Sequence, residues 1–166
     1  NYSGTGNIMK STENQLNFRE MINGEELITA FSHRCSNYLI RERGEVDLPN
    51  CKLWSDALLQ SDNEGYLLGP HHDSKHTLIS NIIYLPNIKD KKAMGTIVYE
   101  PKPEYRTSKE YLGRKYDNKY HDVANFNEVF RAPYKPNCLF GFVNSPRSFH
   151  GLDAIDKDSS GRRNIL

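Results

Sequence analysis

The stretch that decides the fold runs Gly69-Pro-His-His-Asp-Ser-Lys-His76 and leads into the apolar segment Leu78-Ile-Ser-Asn-Ile-Ile-Tyr-Leu-Pro86. The second part is rich in β-branched residues and ends at a proline, which is typical of a strand. In an extended segment, residues i and i+2 point to the same side, so we expect His71 and Asp73 to converge while His72 points away. An imidazole and a carboxylate placed in this way are a natural pair of metal ligands.

A third ligand has to come from a distant part of the chain. His150 qualifies, because it follows the apolar run Cys138–Val143 and a short turn. Two histidines and one carboxylate on one face of an ion form the facial triad of non-haem Fe(II) oxygenases. Two other interpretations stay open. Each residue could be an ordinary surface or hydrogen-bonding side chain, or the histidines of the 69–76 stretch could bind zinc adventitiously.

Composition limits the class of protein. The chain has 166 residues, of which 37% are hydrophobic and 26% charged, and this fits one globular domain over residues 1–166. A formal net charge of +1 argues against a nucleic-acid partner. No apolar stretch approaches the ~20 residues that cross a bilayer, so we expect no membrane partner. The three cysteines lack C-x-x-C pairing, which favours a reducing compartment, the cytoplasm.

An amphipathic helix is predicted before the strands, after a loose N-terminal arm over residues 1–22. Asn23 is the expected N-cap, Glu26 its capping-box partner and Gly44 the residue that ends the helix. Its apolar stripe consists of Leu27, Ile28, Phe31, Cys35, Tyr38 and Leu39.

From Lys52 onward, short apolar runs separated by turn residues predict an antiparallel sandwich or barrel. The runs are Leu53–Leu59, Tyr66–Leu68, Leu78–Leu85, Thr96–Tyr99 and Leu139–Val143. The interval 101–135 is long, charged and rich in tyrosine, so it is predicted to be a lid insertion. Within it we expect His121 and Asp122 to be solvated, whereas Trp54 is expected in the core.

Together with the downstream pair Arg162–Arg163, this order of motifs resembles the 2-oxoglutarate- and Fe(II)-dependent dioxygenases, close to the prolyl-hydroxylase-like branch. The resemblance extends from about Leu53 to Leu166 and rests on H-x-D, a distant histidine and a downstream arginine. It implies a mainly β fold with flanking helices and a double-stranded β-helix (jelly roll) core.

The resemblance also implies roles for individual residues. His71, Asp73 and His150 would hold Fe(II), and Arg163 would bind the distal carboxylate of 2-oxoglutarate. Arg162 competes for that role, since neighbouring strand residues point in opposite directions. Tyr84 would donate a hydrogen bond to the same carboxylate, or it is only a core aromatic residue.

The implied activity is hydroxylation of an unactivated C–H bond in a small-molecule or peptide substrate, with release of succinate and CO2. The carboxylate of Asp73 disfavours halogenation, which relatives with a small residue there perform. Two alternatives remain: a non-catalytic jelly-roll module that binds a ligand, and a cupin-like metal enzyme that does not use 2-oxoglutarate. The sequence begins without methionine and ends three residues after Arg163, so we expect it to be a piece of a longer protein.

Overall fold

The structure is a computed structural model that describes residues 17, 20–43, 52–87, 94–112, 119–156 and 162–166. The chain divides into two compact units, residues 1–60 with Leu166 and residues 61–165. The single domain over 1–166 stays a prediction. Most of the predicted N-terminal arm, Gly44 and the turn at Gly161 lie outside the described residues.

The first unit contains helix α1 (Glu25–Arg43), which confirms the predicted helix. Its N-cap is Gly24 and not Asn23, because the carbonyl of Gly24 accepts the first intrahelical hydrogen bond, from Ile28 at 3.2 Å. The Asn23 side chain instead accepts from the hydroxyl of Ser55 at 2.5 Å. On the predicted stripe Leu39 is buried, whereas Tyr38 is exposed, contrary to expectation.

The predicted strand over 53–59 is wrong, since residues 52–59 adopt neither helix nor strand. Trp54 is 76% exposed and therefore lies outside the core, also contrary to expectation. An apolar run forms a strand only where a second strand pairs with it, and sequence alone does not reveal the partner.

The second unit is mainly β, with a few short helices. The described residues contain eight strands, and three of them (β3, β4 and β6) confirm predicted runs. The strands are β1 (Gln60–Asp62), β2 (Leu68–His71), β3 (Ile79–Ile83), β4 (Ile97–Pro101), β5 (Phe126–Arg131), β6 (Leu139–Val143), β7 (His150–Leu152) and β8 (Arg163–Ile165).

The strands form one sheet of order β2-β7-β4-β5 and two pairs, β1-β8 and β3-β6. The pairings β2/β7, β4/β7, β4/β5 and β3/β6 are antiparallel. An antiparallel bridge between Tyr84 and Ile165 links the end of β3 to β8. Mainly β architecture with antiparallel sheets was therefore predicted correctly.

Two hydrophobic clusters lie on opposite faces of β7. Leu152 belongs to the first cluster, which includes Tyr84 and Tyr134 and is packed by residues of β3, β6 and β8. Phe149 belongs to the second cluster, with residues of β4 and β5. Because His150 and Leu152 are two residues apart on one strand, the imidazole of His150 shares the face of the first cluster.

The interval 101–135 contains the short helices α2 (Pro103–Arg106) and α3 (Lys109–Leu112), a 3-10 turn and strand β5. Residues 126–131 of the interval thus form a strand of the sheet, residues 113–118 lie outside the described part, and the lid insertion stays a prediction. β5 is an edge strand whose residues 127–130 are exposed, and its apolar residues Phe126, Val129 and Phe130 do not alternate with polar ones, which hides the strand pattern in the sequence.

Among the helices of the described residues, none has the length and apolar character that crossing a membrane requires.

Candidate metal centre

The three predicted ligands lie together. His71 is the last residue of β2, Asp73 follows two residues later, and His150 is the first residue of β7. His150 Nε2 lies 3.6 Å from Asp73 Oδ1, and His71 Nε2 lies 4.0 Å from the same oxygen. One ligand atom from each of the three residues lies within 4.8 Å of the others, so this group could hold a metal ion.

A β-bulge aims His71 at the site. Leu68 of β2 pairs with Leu152, and His71 pairs with His150. Three residue steps on β2 therefore face two steps on β7, so β2 carries one extra residue. Without the bulge, the side chains of Leu68 and His71 would point to opposite faces of the sheet. With it, both point to the face that carries the first hydrophobic cluster.

The bulge requires a glycine on the opposite strand. A Cβ atom at Gly151 would lie 2.3 Å from the carbonyl oxygen of Leu68 and 3.0 Å from that of Gly69. Both are backbone atoms, which cannot turn away as the end of a side chain can. Gly151 thus allows the bulged backbone to approach β7 closely, which brings His71 beside His150.

The orientation of both imidazoles is set by hydrogen bonds to the main chain. His71 Nδ1 lies 3.0 Å from the carbonyl oxygen of Gly69, and His150 Nδ1 lies 3.0 Å from that of Ser148. A carbonyl oxygen only accepts, so Nδ1 carries the proton in both rings and Nε2 keeps its lone pair. Such second hydrogen bonds are typical of metal-binding histidines.

The carboxylate is also held in place. The hydroxyl of Ser80, on β3, donates to Asp73 Oδ2. This bond leaves Oδ1 as the oxygen that faces both Nε2 atoms.

Burial keeps the two histidines neutral. Burial, with a smaller contribution from the nearby His150, lowers the pKa of His71 from 6.5 to about 4. Burial also lowers the pKa of His150. At neutral pH both rings are therefore uncharged, and the lone pair of each Nε2 is available to a metal ion.

Asn144 joins the two segments that supply the ligands. Its buried side-chain nitrogen donates to the carbonyls of Ser74 at 2.8 Å, Thr77 at 3.0 Å and Asp73 at 3.3 Å. Its Oδ1 accepts from the hydroxyl of Ser148 at 3.2 Å. The loop after Asp73 and the turn before His150 are thus tied through one side chain.

Two aromatic rings flank the imidazoles. Tyr120 lies edge-on to His71 with ring centroids 5.1 Å apart, and Phe142 lies 4.5 Å from the ring of His150. Tyr120 is 46% exposed. The tyrosine-rich interval therefore does bring one tyrosine next to the candidate ligands.

Arg163 is the inward member of the arginine pair, since Arg162 is exposed. Its Nη1 forms an ion pair with Asp62 Oδ2 at 2.7 Å, its Nε donates to the carbonyl of Met94 at 2.9 Å, and its Nη2 lies 3.3 Å from Thr96 Oγ1. The positive charge expected to meet a carboxylate of 2-oxoglutarate is thus compensated within the chain.

Tyr84 lies near the same group. It is buried in the first cluster, and its hydroxyl accepts a hydrogen bond from the Thr96 amide at 3.0 Å. Tyr84 is thus a core aromatic residue, and its hydroxyl contacts Thr96, which in turn contacts Arg163. Both of its predicted roles therefore stay open.

Of the two other histidines near this region, His72 matches its prediction and His121 does not. His72 points away from the ligands, as predicted, and its ring lies 5.4 Å from that of Phe149 in the second cluster region. His121 is buried and not solvated, because it packs among aromatic rings and its Nδ1 lies 2.8 Å from the Tyr105 hydroxyl. Asp122 is exposed, as expected, and caps the 3-10 turn by accepting from Ala124.

Sequence reasoning missed four residues of this region: Asp62, Ser80, Asn144 and Gly151. A carboxylate, a hydroxyl, an amide and a glycine are common residues, and each acquires its role from a partner outside its own strand or turn, 7 residues away for Ser80 and 101 for Asp62. Comparison of the chain with protein-family models, with curated proteins and with solved structures gives no match.

Proposed function

We propose that this protein is an Fe(II)- and 2-oxoglutarate-dependent oxygenase that hydroxylates an unactivated C–H bond, releasing succinate and CO2. The observation that carries the proposal is the His71–Asp73–His150 group, with one oxygen facing two Nε2 atoms. Two histidines and one carboxylate with open positions are the ligand set of non-haem Fe(II) oxygenases.

The group fits a metal ion in its distances and protonation. Ligand atoms at right angles around an ion with bonds of about 2.1 Å lie about 3 Å apart. The observed separations of 3.6 and 4.0 Å therefore need to shorten by about 1 Å or less when the ion binds. Both imidazoles have the tautomer that this requires.

The strand order supports a jelly-roll core. A jelly roll packs eight strands in two four-stranded sheets. The sheet β2-β7-β4-β5 is one such sheet, and the bridge Tyr84–Ile165 extends the pairs β1-β8 and β3-β6 toward a second of order β1-β8-β3-β6. In this arrangement the ligands lie where β2 ends and β7 begins.

Each residue then has a defined task. The iron, with 2-oxoglutarate and dioxygen as co-substrates, would supply the oxidation of the C–H bond: one oxygen atom of dioxygen would go to the hydroxylated product and the other to succinate, as the 2-oxo acid loses CO2. His71, Asp73 and His150 would hold the ion on one face, and Ser80 and the main chain orient them. Arg163 would bind the distal carboxylate from its buried position on β8, and the exposed Tyr120 would contact the substrate.

A second candidate is a metal enzyme that does not use 2-oxoglutarate. It is favoured by the ion pair between Arg163 and Asp62, because an arginine already neutralised attracts a further carboxylate less strongly. The two candidates differ in whether the metal-loaded protein binds 2-oxoglutarate.

The test begins with metal and co-substrate binding. We expect the purified protein to bind Fe(II) and then 2-oxoglutarate, and to produce succinate and CO2 slowly even without the substrate. Asp73→Ala should remove both metal binding and succinate formation. Asp122→Ala is a matched control, since that aspartate is exposed and lies outside the ligand group.

The outcomes separate the alternatives. Metal binding that survives in the double variant His71→Ala/His150→Ala would refute the ligand assignment. Metal binding without any 2-oxoglutarate binding would refute the co-substrate and support the second candidate. A wild-type protein that binds no metal would leave only a non-catalytic module.

A further inference from the structure

The ion pair between Arg163 and Asp62 is almost completely buried. The two residues are 4% and 3% exposed, and Nη1 lies 2.7 Å from Oδ2. Charges removed from water are weakly screened, so each affects any third charge that approaches. Asp62 therefore determines the electrostatic environment of the arginine.

The pair lies on the same side of the sheet as the metal ligands. Arg163 contacts Thr96, which precedes β4. Val98 of β4 is the register partner of His150, and Thr96 is two residues before Val98. Residues two apart on a strand share a face and lie ~7 Å apart. The side chains of Thr96, Val98 and His150 therefore point to the same side of the sheet. A five-carbon 2-oxo acid could extend from the ligands toward Arg163.

A second carboxylate at this arginine would meet two opposing effects. The guanidinium would attract it through charged hydrogen bonds. Asp62, fixed on the same guanidinium, would repel it as a like charge or would have to give up its own ion pair. An uncharged chain end meets neither effect.

From this balance we propose that Asp62 sets the acid preference of the co-substrate pocket: it weakens the preference for a 2-oxo acid with a distal carboxylate over one with an uncharged end. The inference rests on the proposed use of a 2-oxo acid co-substrate. It assigns to Asp62 a specificity role that is separate from metal binding.

The experiment compares two acids on Mn(II)-loaded protein by titration calorimetry. The probes are 2-oxoglutarate and 2-oxopentanoate, which has the same five carbons and a methyl group in place of the distal carboxylate. The measured quantity is the ratio of their dissociation constants. We expect Asp62→Asn to raise the preference for 2-oxoglutarate more than about threefold over wild type, since a buried like charge is removed.

Asp153→Asn is the matched control. Asp153 forms an ion pair with Arg131, but it is exposed, so its loss should leave the ratio unchanged. If Asp62→Asn does not fold, the wild-type ratio alone decides. We expect wild-type protein to prefer 2-oxoglutarate over 2-oxopentanoate by less than about a hundredfold. Two charged hydrogen bonds from an arginine without a competing carboxylate would give a larger preference.

The contrary results are distinct. A ratio in Asp62→Asn within about threefold of wild type, or a wild-type ratio above about a hundredfold, overturns the inference while leaving the proposed function intact. If the Mn(II)-loaded wild-type protein binds neither acid, the co-substrate proposal fails and this inference fails with it.

Discussion

The side-chain nitrogen of Asn144 lies 2.8 Å from the carbonyl oxygen of Ser74, and this contact ties the loop after one candidate metal ligand to the turn before another. The same nitrogen donates to Asp73 and Thr77, and the side chain is buried. The arrangement of the candidate ligands is therefore controlled by a residue that is not one of them.

Asn144→Ala should lower metal affinity about 10- to 100-fold, as the loss of outer hydrogen bonds does in metal sites. It should also reduce the free energy of unfolding by about 1–3 kcal/mol, since buried carbonyls lose their donor. Titration calorimetry with Mn(II) and urea unfolding measure the two effects. Asn127→Ala, at an exposed position of β5, should change neither. Reduced stability with wild-type metal affinity would limit Asn144 to a structural role.

Gly151→Ala should disrupt the β-bulge, because the new Cβ would lie 2.3 Å from the backbone oxygen of Leu68. We expect a loss of about 1–3 kcal/mol in unfolding free energy together with weaker metal binding, since the approach of β2 to β7 positions His71. Gly141→Ala is the control. Its Cβ would meet the Oδ1 end of the Asn81 side chain, which is exposed and can rotate away. Equal metal affinity in both variants would contradict the role of the bulge.

The metal-free protein should lose stability as the pH falls below about 6.5. The pKa of His71 is about 4 in the folded state and 6.5 in an unfolded chain, so between these values the unfolded state binds more protons. The stabilisation that His71 provides by staying neutral is complete above pH 6.5. Toward pH 4 the free energy of unfolding falls by up to about 1.4 kcal/mol per pH unit. Urea unfolding with chelator at pH 7.5, 6 and 5 measures the slope.

His71→Gln should make this pH dependence shallower, whereas His33→Gln, on the exposed side of α1, should not. Identical slopes in wild type and His71→Gln would show that the buried imidazole is not the group responsible.

Asp62→Ala should destabilise the protein by about 3–5 kcal/mol, because it leaves the Arg163 guanidinium buried without its carboxylate. The double variant Asp62→Ala/Arg163→Met should recover most of this loss, since no unpaired charge remains. Urea unfolding measures both, and Asp153→Ala, in an exposed ion pair, should cost less than about 1 kcal/mol. A double variant as unstable as the single one would contradict this account.

Local patterns predicted the elements that depend on neighbours in sequence. Helix α1 was recognisable from its spacing, and β3, β4 and β6 from their apolar runs. β5 was not, because its apolar residues Phe126, Val129 and Phe130 are three and one residues apart and so lack the period of two that marks a strand. Trp54 was misplaced because whether an apolar side chain is buried depends on a partner that its own segment does not contain.

The sequence by itself determined which side chains could bind a metal: His71 and Asp73 two residues apart, and His150 after an apolar run. Only the tertiary structure decided how they meet, through the extra residue on β2, the glycine at 151 and the amide of Asn144. It also decided that Arg163 pairs with Asp62, which is 101 residues away. The reason is physical: ligand type is a property of single residues, whereas register, close approach and charge compensation belong to pairs that only folding brings together.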